Sequence, residues 1–248
     1  MIIYVPGYSG TRSENQEKFE DLASHGYIVA SADHWEVYGT VFPDGRYLHG
    51  SSVYAGETSA MLSNSNFAAK AFSRRMQDVR IMLADLDRAH AGESVLAGCI
   101  DTNNVGLMGF SFGGGVAAEM CRTNEQCRAV VVIDAGAQGA DELLRVGLQK
   151  PFLGMYGTEN GNTPDVNATS FFNKLTQDAF WILISKTVHS SFAYGYETTE
   201  PSAVNREAQV TMKAYLLSFF DKYLKGQDDH LLDGPSTNFP RIVYFQKK

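Results

Sequence analysis

The chain has 248 residues, of which 44% are hydrophobic and 20% charged, a length and balance that suit one globular domain (1–248) with a sizeable core. A net charge of −7 without a long Lys/Arg block argues against a nucleic-acid partner. The longest apolar run, Ala129 to Ile133, is far short of the ~20 residues that cross a bilayer, which argues against a transmembrane segment.

Met1-Ile2-Ile3-Tyr4-Val5 reads as a buried strand, so the chain starts abruptly or has lost a leader or an outer part of a sheet. Compartment is therefore open between secreted and cytoplasmic. From there short Val/Ile-rich runs alternate with helical patterns. Strands are predicted at about 1–5, 27–32, 104–109, 129–134, 151–156 and 180–185, and helices at about 14–25, 66–89, 112–122, 168–176 and 203–225. That rhythm predicts an α/β fold with a mostly parallel sheet of about six strands and helices on both faces.

The segment Glu36 to Asn66, rich in Gly, Ser and Tyr, is too long for an ordinary connection and is expected to drape over the site. The charged run Arg74-Arg75-Met76-Gln77-Asp78-Val79-Arg80 is expected to be a salt-bridged helix face. The tail 227–248 is expected to pack loosely. Cys99, Cys121 and Cys127 lack metal-ligand spacing. Cys121 and Cys127 flank a short polar turn and could form a disulfide, and three free thiols fit equally well. The sequon Asn167-Ala168-Thr169 adds little on its own.

The strongest local signal is Asn104 to Met108 followed by Gly109-Phe110-Ser111-Phe112-Gly113 and the small-residue stretch Gly114-Gly115-Val116-Ala117-Ala118. A serine on a sharp strand-to-helix turn needs tiny residues two positions before and after it, and Gly109 and Gly113 supply them. The turn puts the Ser111 hydroxyl at the positive end of a helix, where the Phe112 amide is a first oxyanion donor. A Gly-rich turn serving only packing or phosphate binding is the rival reading.

A serine hydroxyl needs a base, and this context orders the residues serine, acid, histidine. Only His189 and His230 follow Ser111. His189, just past the strand Phe180 to Ser185, is the better placed, because His230 sits in the acidic tail. The position after the strand Pro151 to Tyr156, where an acid is common, holds Asn160, and an amide cannot stabilise an imidazolium. Three acids remain: Asp134, which closes the apolar run and needs a partner there, then Glu159, then Asp165.

Three stretches, Asp21 to Ala30, Gly109 to Gly113 and Val188 to Ala193, carry a family likeness. The chain resembles plasma-type platelet-activating-factor acetylhydrolases and the dienelactone-hydrolase-related bacterial esterases grouped with them, over about 1–225. The resemblance implies an α/β-hydrolase fold and hydrolysis of small-molecule or lipid esters with short or oxidised acyl groups. It implies no metal and no cofactor, and a triad of Ser111, Asp134 and His189. It also implies a second oxyanion donor, the Tyr8 amide in Pro6-Gly7-Tyr8-Ser9-Gly10, with Gly7 beside it. The family's usual His-Gly pair is Pro6-Gly7 here, and the aromatic at 8 is cutinase-like. Tyr8, Phe112, Phe192 and Trp35 are candidates to line the substrate pocket, although core packing suits Trp35 and Trp181 as well. The rival functions are a cutinase- or lipase-like polyesterase, a lactone or amide hydrolase, and a hydrolase-shaped binding protein without turnover.

Overall fold

The computed structural model describes residues 1–37, 39–49, 62–92, 95–136, 138–159, 166–193 and 203–248. Five segments build the parallel core of the sheet: β1 (Ile2–Val5), β5 (Val105–Phe110), β6 (Cys127–Ile133), β7 (Phe152–Gly157) and β8 (Ala179–Ile184). Nearly every residue in them is buried, because a parallel strand is covered on both faces and can dispense with polar alternation. The full order is β2-β1-β5-β6-β7-β8-β9, with β2 (Val29–Ser31) at one edge and β9 (Ile242–Lys247) at the other. All neighbours are parallel except β8 and β9, which pair antiparallel with Ile182 opposite Phe245.

The period-two geometry of a strand sorts its side chains between two cores. Met1, Ile3 and Val5 of the first segment, Val130 and Val132 of β6, and Trp181 and Leu183 of β8 face one side. They pack there on α2 (Ser65–Ala91), α3 (Phe112–Thr123), α4 (Asp141–Val146) and α5 (Val166–Asn173). Ile2, Tyr4, Val131, Ile133, Phe180 and Ile182 face the other side. These meet α1 (Gln16–Ser24) and α6 (Ala203–Phe220), whose Met212, Tyr215, Leu216, Phe219 and Phe220 recur at helical spacing. Each such fully buried side chain contributes about 2 kcal/mol, so the two cores together dominate the stability.

Two expectations are corrected here. The tail is not loosely packed: Leu232 is buried, Phe239 stacks edge-on against Tyr215, and β9 adds a seventh strand that covers the open edge of β8. The reason is edge chemistry, since an uncovered β8 would leave a row of unpaired backbone groups. The expected irregular segment 36–66 contains a short antiparallel hairpin, β3 (Gly39–Val41) and β4 (Tyr47–His49), and its residues 50–61 lie outside the described ones. Cys121 and Cys127 form a disulfide joining the end of α3 to the start of β6.

The fold places the chemistry by its connectivity. The chain winds from β1 outward to β2, then returns to the far side of β1 with β5, so the winding direction reverses between β1 and β5. Ligands of open parallel sheets bind at the carboxyl ends of the strands beside such a reversal. The loop after β1 begins at Pro6 and the turn after β5 begins at Ser111, so both candidate donor segments emerge at that point.

Candidate active site

Ser111 sits between β5 and α3 with φ 53° and ψ −128°, a backbone conformation that L-residues rarely hold. Tertiary crowding enforces it. A Cβ added at Gly109 would stand 2.2 Å from the Gly113 carbonyl oxygen, and one added at Gly113 would stand 2.2 Å from the carbonyl oxygens of both Val5 and Pro6. Only glycine lets α3 approach the ends of β1 and β5 this closely. The turn is anchored across the sheet by the Ser111 amide, which donates to Ile133 (2.9 Å). As the first residue of α3, Phe112 has an amide without an intrahelical acceptor, directed out of the helix N-terminus.

The structure brings Ser111, His189 and Asp134 together. Ser111 Oγ lies 2.9 Å from His189 Nε2, and His189 Nδ1 is hydrogen-bonded to Asp134 Oδ2. The Asp134 side chain is fully buried at the carboxyl end of β6, and its other oxygen accepts the Gly157 amide (3.0 Å). Each carboxylate oxygen thus has a partner, which is what a buried charge requires. His189 is about half-exposed and stacks on Phe110, ring centroids 4.6 Å apart. Glu159 is exposed and accepts from the Thr158 hydroxyl (3.2 Å), so the structure does not bring it to the histidine. Asp165 and Asn160 lie outside the described residues. His230 pairs with Asp233 on the surface of the tail.

The turn that carries His189 is held from below. Thr187 Oγ1 donates to Ile184 and the Val188 amide to Ser191 Oγ, closing the short helical turn His189–Phe192. Gln209 of α6 donates to the Ser191 carbonyl (2.9 Å), and Lys18 of α1 donates to the Phe192 carbonyl (3.1 Å), to Gln209 Oε1 (2.8 Å) and to Asn15 Oδ1 (2.5 Å). Lys18 is fully buried, and loss of hydration pulls its ammonium down to about 7.

The candidate pocket residues divide, and the Phe112 ring, buried in the core, does not line a pocket. Tyr8 packs edge-on against both Phe112 (5.8 Å) and Phe67 (6.2 Å), and Phe72 packs edge-on against Phe112. Trp35 leans on the same core and lies under the Arg74 guanidinium (4.7 Å). Phe192 does not line a pocket: its side chain has no exposed surface and belongs to the core under α1 and α6, on the opposite side of the sheet. His189, three residues earlier, is instead hydrogen-bonded to Ser111 and Asp134.

A second correction concerns the charged run on α2. The run is ion-paired as expected, but Arg75 is buried: it pairs with Glu36 and lies 5.7 Å from the Phe112 ring centroid. The sequence carried the signal, because Arg75 falls on the helical stripe Ala68, Ala71, Phe72, Met76, Val79 and Leu83, all buried. Its charge disguised its position. Asp78 does accept a partner, His34 Nδ1 (2.8 Å), but burial and the nearby Arg75 cation lower His34 to about 4, so the contact joins a neutral imidazole to a carboxylate. Among the described residues, no cluster of three or more His, Cys, Asp or Glu side chains could hold a metal ion. No described helix is long and apolar enough to cross a membrane.

A model of the family described as "Dienelactone hydrolase family" matches residues 1–224. The chain belongs to the dienelactone hydrolase family. It is accordingly an enzyme with the α/β-hydrolase fold, a carboxylic-ester hydrolase. Among solved structures it is similar to a ferulic acid esterase from Streptomyces cinnamoneus, with a TM-score of 0.78 and 25% identity over 99% of this chain and 72% of that one. No curated protein matches the chain.

Proposed function

We propose that the chain is a serine esterase that works through an acyl-enzyme, with Ser111 as nucleophile, His189 as base and Asp134 as the residue that orients the histidine. The observation that carries this reading is the unbroken relay from Ser111 Oγ through His189 to Asp134. His189 Nε2 takes the hydroxyl proton as Oγ attacks the ester carbonyl carbon. The carbonyl π electrons move to oxygen, and the amides of Phe112 and Tyr8 bind that oxyanion. Collapse expels the alcohol, which leaves with the proton from His189. Water, deprotonated by the same histidine, then attacks the acyl-enzyme and releases the carboxylic acid. Asp134 supports this cycle by fixing the tautomer that leaves Nε2 free to accept, and by stabilising the imidazolium.

The substrate class follows from the resemblance: a small-molecule or lipid ester with a short or medium acyl group. A second reading is an ester with an aromatic acyl group, favoured by the half-buried rings of Tyr8 and Phe67 and by the ferulic acid esterase neighbour. Rates across p-nitrophenyl esters from acetyl to palmitoyl, together with methyl ferulate, separate them. The first reading expects a maximum at acetyl to hexanoyl. A maximum at ferulate selects the second, and rates that rise to palmitoyl overturn both in favour of a cutinase- or lipase-like enzyme.

A further inference from the structure

The loop after β1 is gripped by two buried groups of opposite charge. Arg75 of α2 donates through Nη1 to the Pro6 carbonyl (2.7 Å) and through Nη2 to the Gly7 carbonyl (2.9 Å), while its Nε donates to Glu36. Glu14, just before α1, accepts the Gly7 amide (2.8 Å) and the Tyr4 hydroxyl (2.8 Å) through Oε2. The Pro6–Gly7 peptide is thus held at its C=O by a cation and at its N–H by an anion, and the next peptide is held at its C=O by the same cation.

We infer that Arg75 and Glu14 are positioning residues that aim the Tyr8 amide at the oxyanion. The inference rests on the proposed role of Tyr8 N–H as the second donor. In a planar trans peptide the C=O and the following N–H point in opposite directions. Fixing the Gly7 carbonyl on Arg75, below the loop, therefore fixes the Tyr8 N–H away from Arg75. One guanidinium fork sets two consecutive carbonyls, which a point charge such as lysine cannot reproduce. A cation on the Gly7 oxygen also polarises that amide and strengthens its N–H as a donor, an effect that low dielectric enlarges. Space around the clamp is tight: a Cβ at Gly10 would fall 2.3 Å from Glu14 Oε1. The carboxylate is confined directly beneath the turn.

The test compares phenyl acetate with its thionoester, in which sulfur replaces the carbonyl oxygen and is a poorer acceptor for the two amides. Rates are taken per active site titrated with a fluorophosphonate, so that unfolded protein does not count. Wild type is expected to favour the oxoester strongly. Arg75→Lys is expected to lower kcat about 30-fold, short of the 10²–10³ seen when a donor is deleted outright. KM should change less than about threefold and the oxo/thiono preference should narrow by a similar factor to kcat. Glu14→Gln should show the same pattern at about fivefold, and it decides the matter if Arg75→Lys does not fold. A wild type that favours the oxoester, with folded variants whose kcat per site and preference are unchanged, overturns the clamp. A wild type that does not discriminate overturns the two-amide oxyanion reading and the clamp with it.

Discussion

The turn around Ser111 and the two loops that face it are held in place by different physics. The Ser111 turn is fixed by sterics: Gly109 and Gly113 let backbone meet backbone at distances that no side chain would survive, Gly109 against Gly113 itself and Gly113 against Val5 and Pro6 at the end of β1. The loop at 6–10 and the turn at 188–193 are fixed by buried polar groups, Arg75, Glu14, Lys18, Gln209 and Asp134, drawn from α1, α2, α6 and the end of β6. Crowding is insensitive to pH and tolerates no added atom. Charge tolerates small changes of shape but answers to protonation. The two halves of the site should therefore fail under different perturbations.

The largest expected effect is on the polar half. Asp134→Asn keeps the shape but loses the charge that orients His189, and turnover should fall about 10⁴-fold, as in comparable triads. Glu159→Gln, at an exposed carboxylate, should leave turnover within about twofold. Steady-state rates per titrated site read both, and an unimpaired Asp134→Asn would reject the acid assignment. On the steric half, Gly113→Ala should act on stability first. The added methyl meets two backbone oxygens that cannot move aside, so about 3 kcal/mol or more should be lost, which lowers the melting temperature by about 10 °C in a chain of this size. A melting temperature within 2 °C of wild type would show that the turn is less crowded than its geometry implies.

Two further effects separate the halves by pH. Lys18 titrates at 10.5 when unfolded and at about 7 when buried. Between those values the unfolded chain binds more protons, so the Lys18 contribution rises with pH across that window, at most about 1.4 kcal/mol per pH unit. Lys18→Met should flatten that rise in melting temperature between pH 7 and 10, and an unchanged slope would count against a neutral buried amine. His34, lowered from 6.5 to about 4, is protonated more readily in the unfolded chain, so stability should fall as pH drops through 6.5 and stop falling near 4. His34→Gln should shallow that decline. The effect is smaller than that of Lys18 because its window spans fewer pH units.

This contrast also explains what could be read from the sequence. The strands at 1–5, 104–109, 129–134, 151–156 and 180–185 are legible because buried parallel strands are continuous apolar runs, and the Ser111 turn is legible because its two glycines flank the serine at fixed spacing. β9 is not: Ile242 to Lys247 mixes exposed and half-buried residues without alternation, and its pairing with β8 is what makes it a strand. Asp134 could be ranked from its place at the end of an apolar run, but choosing it over Glu159 needed the distance to His189. Arg75 is legible in its place on the apolar stripe of α2 but is disguised by its charge, and the partners that permit its burial and that of Lys18 are remote, Glu36 39 positions from Arg75 and Gln209 191 from Lys18. Phe192 was misplaced because closeness to His189 in sequence does not show that a side chain is exposed, and its ring is buried in the core under α1 and α6.

The central claim is that Ser111 is the nucleophile, and its most direct test is covalent. Wild-type protein treated with a fluorophosphonate and digested should yield one modified peptide, with the phosphonyl group on Ser111 at close to one equivalent and esterase activity lost in proportion. Ser111→Ala should take up none and lose about 10⁶ in turnover. Label on another residue, or full hydrolysis by Ser111→Ala, would contradict the account.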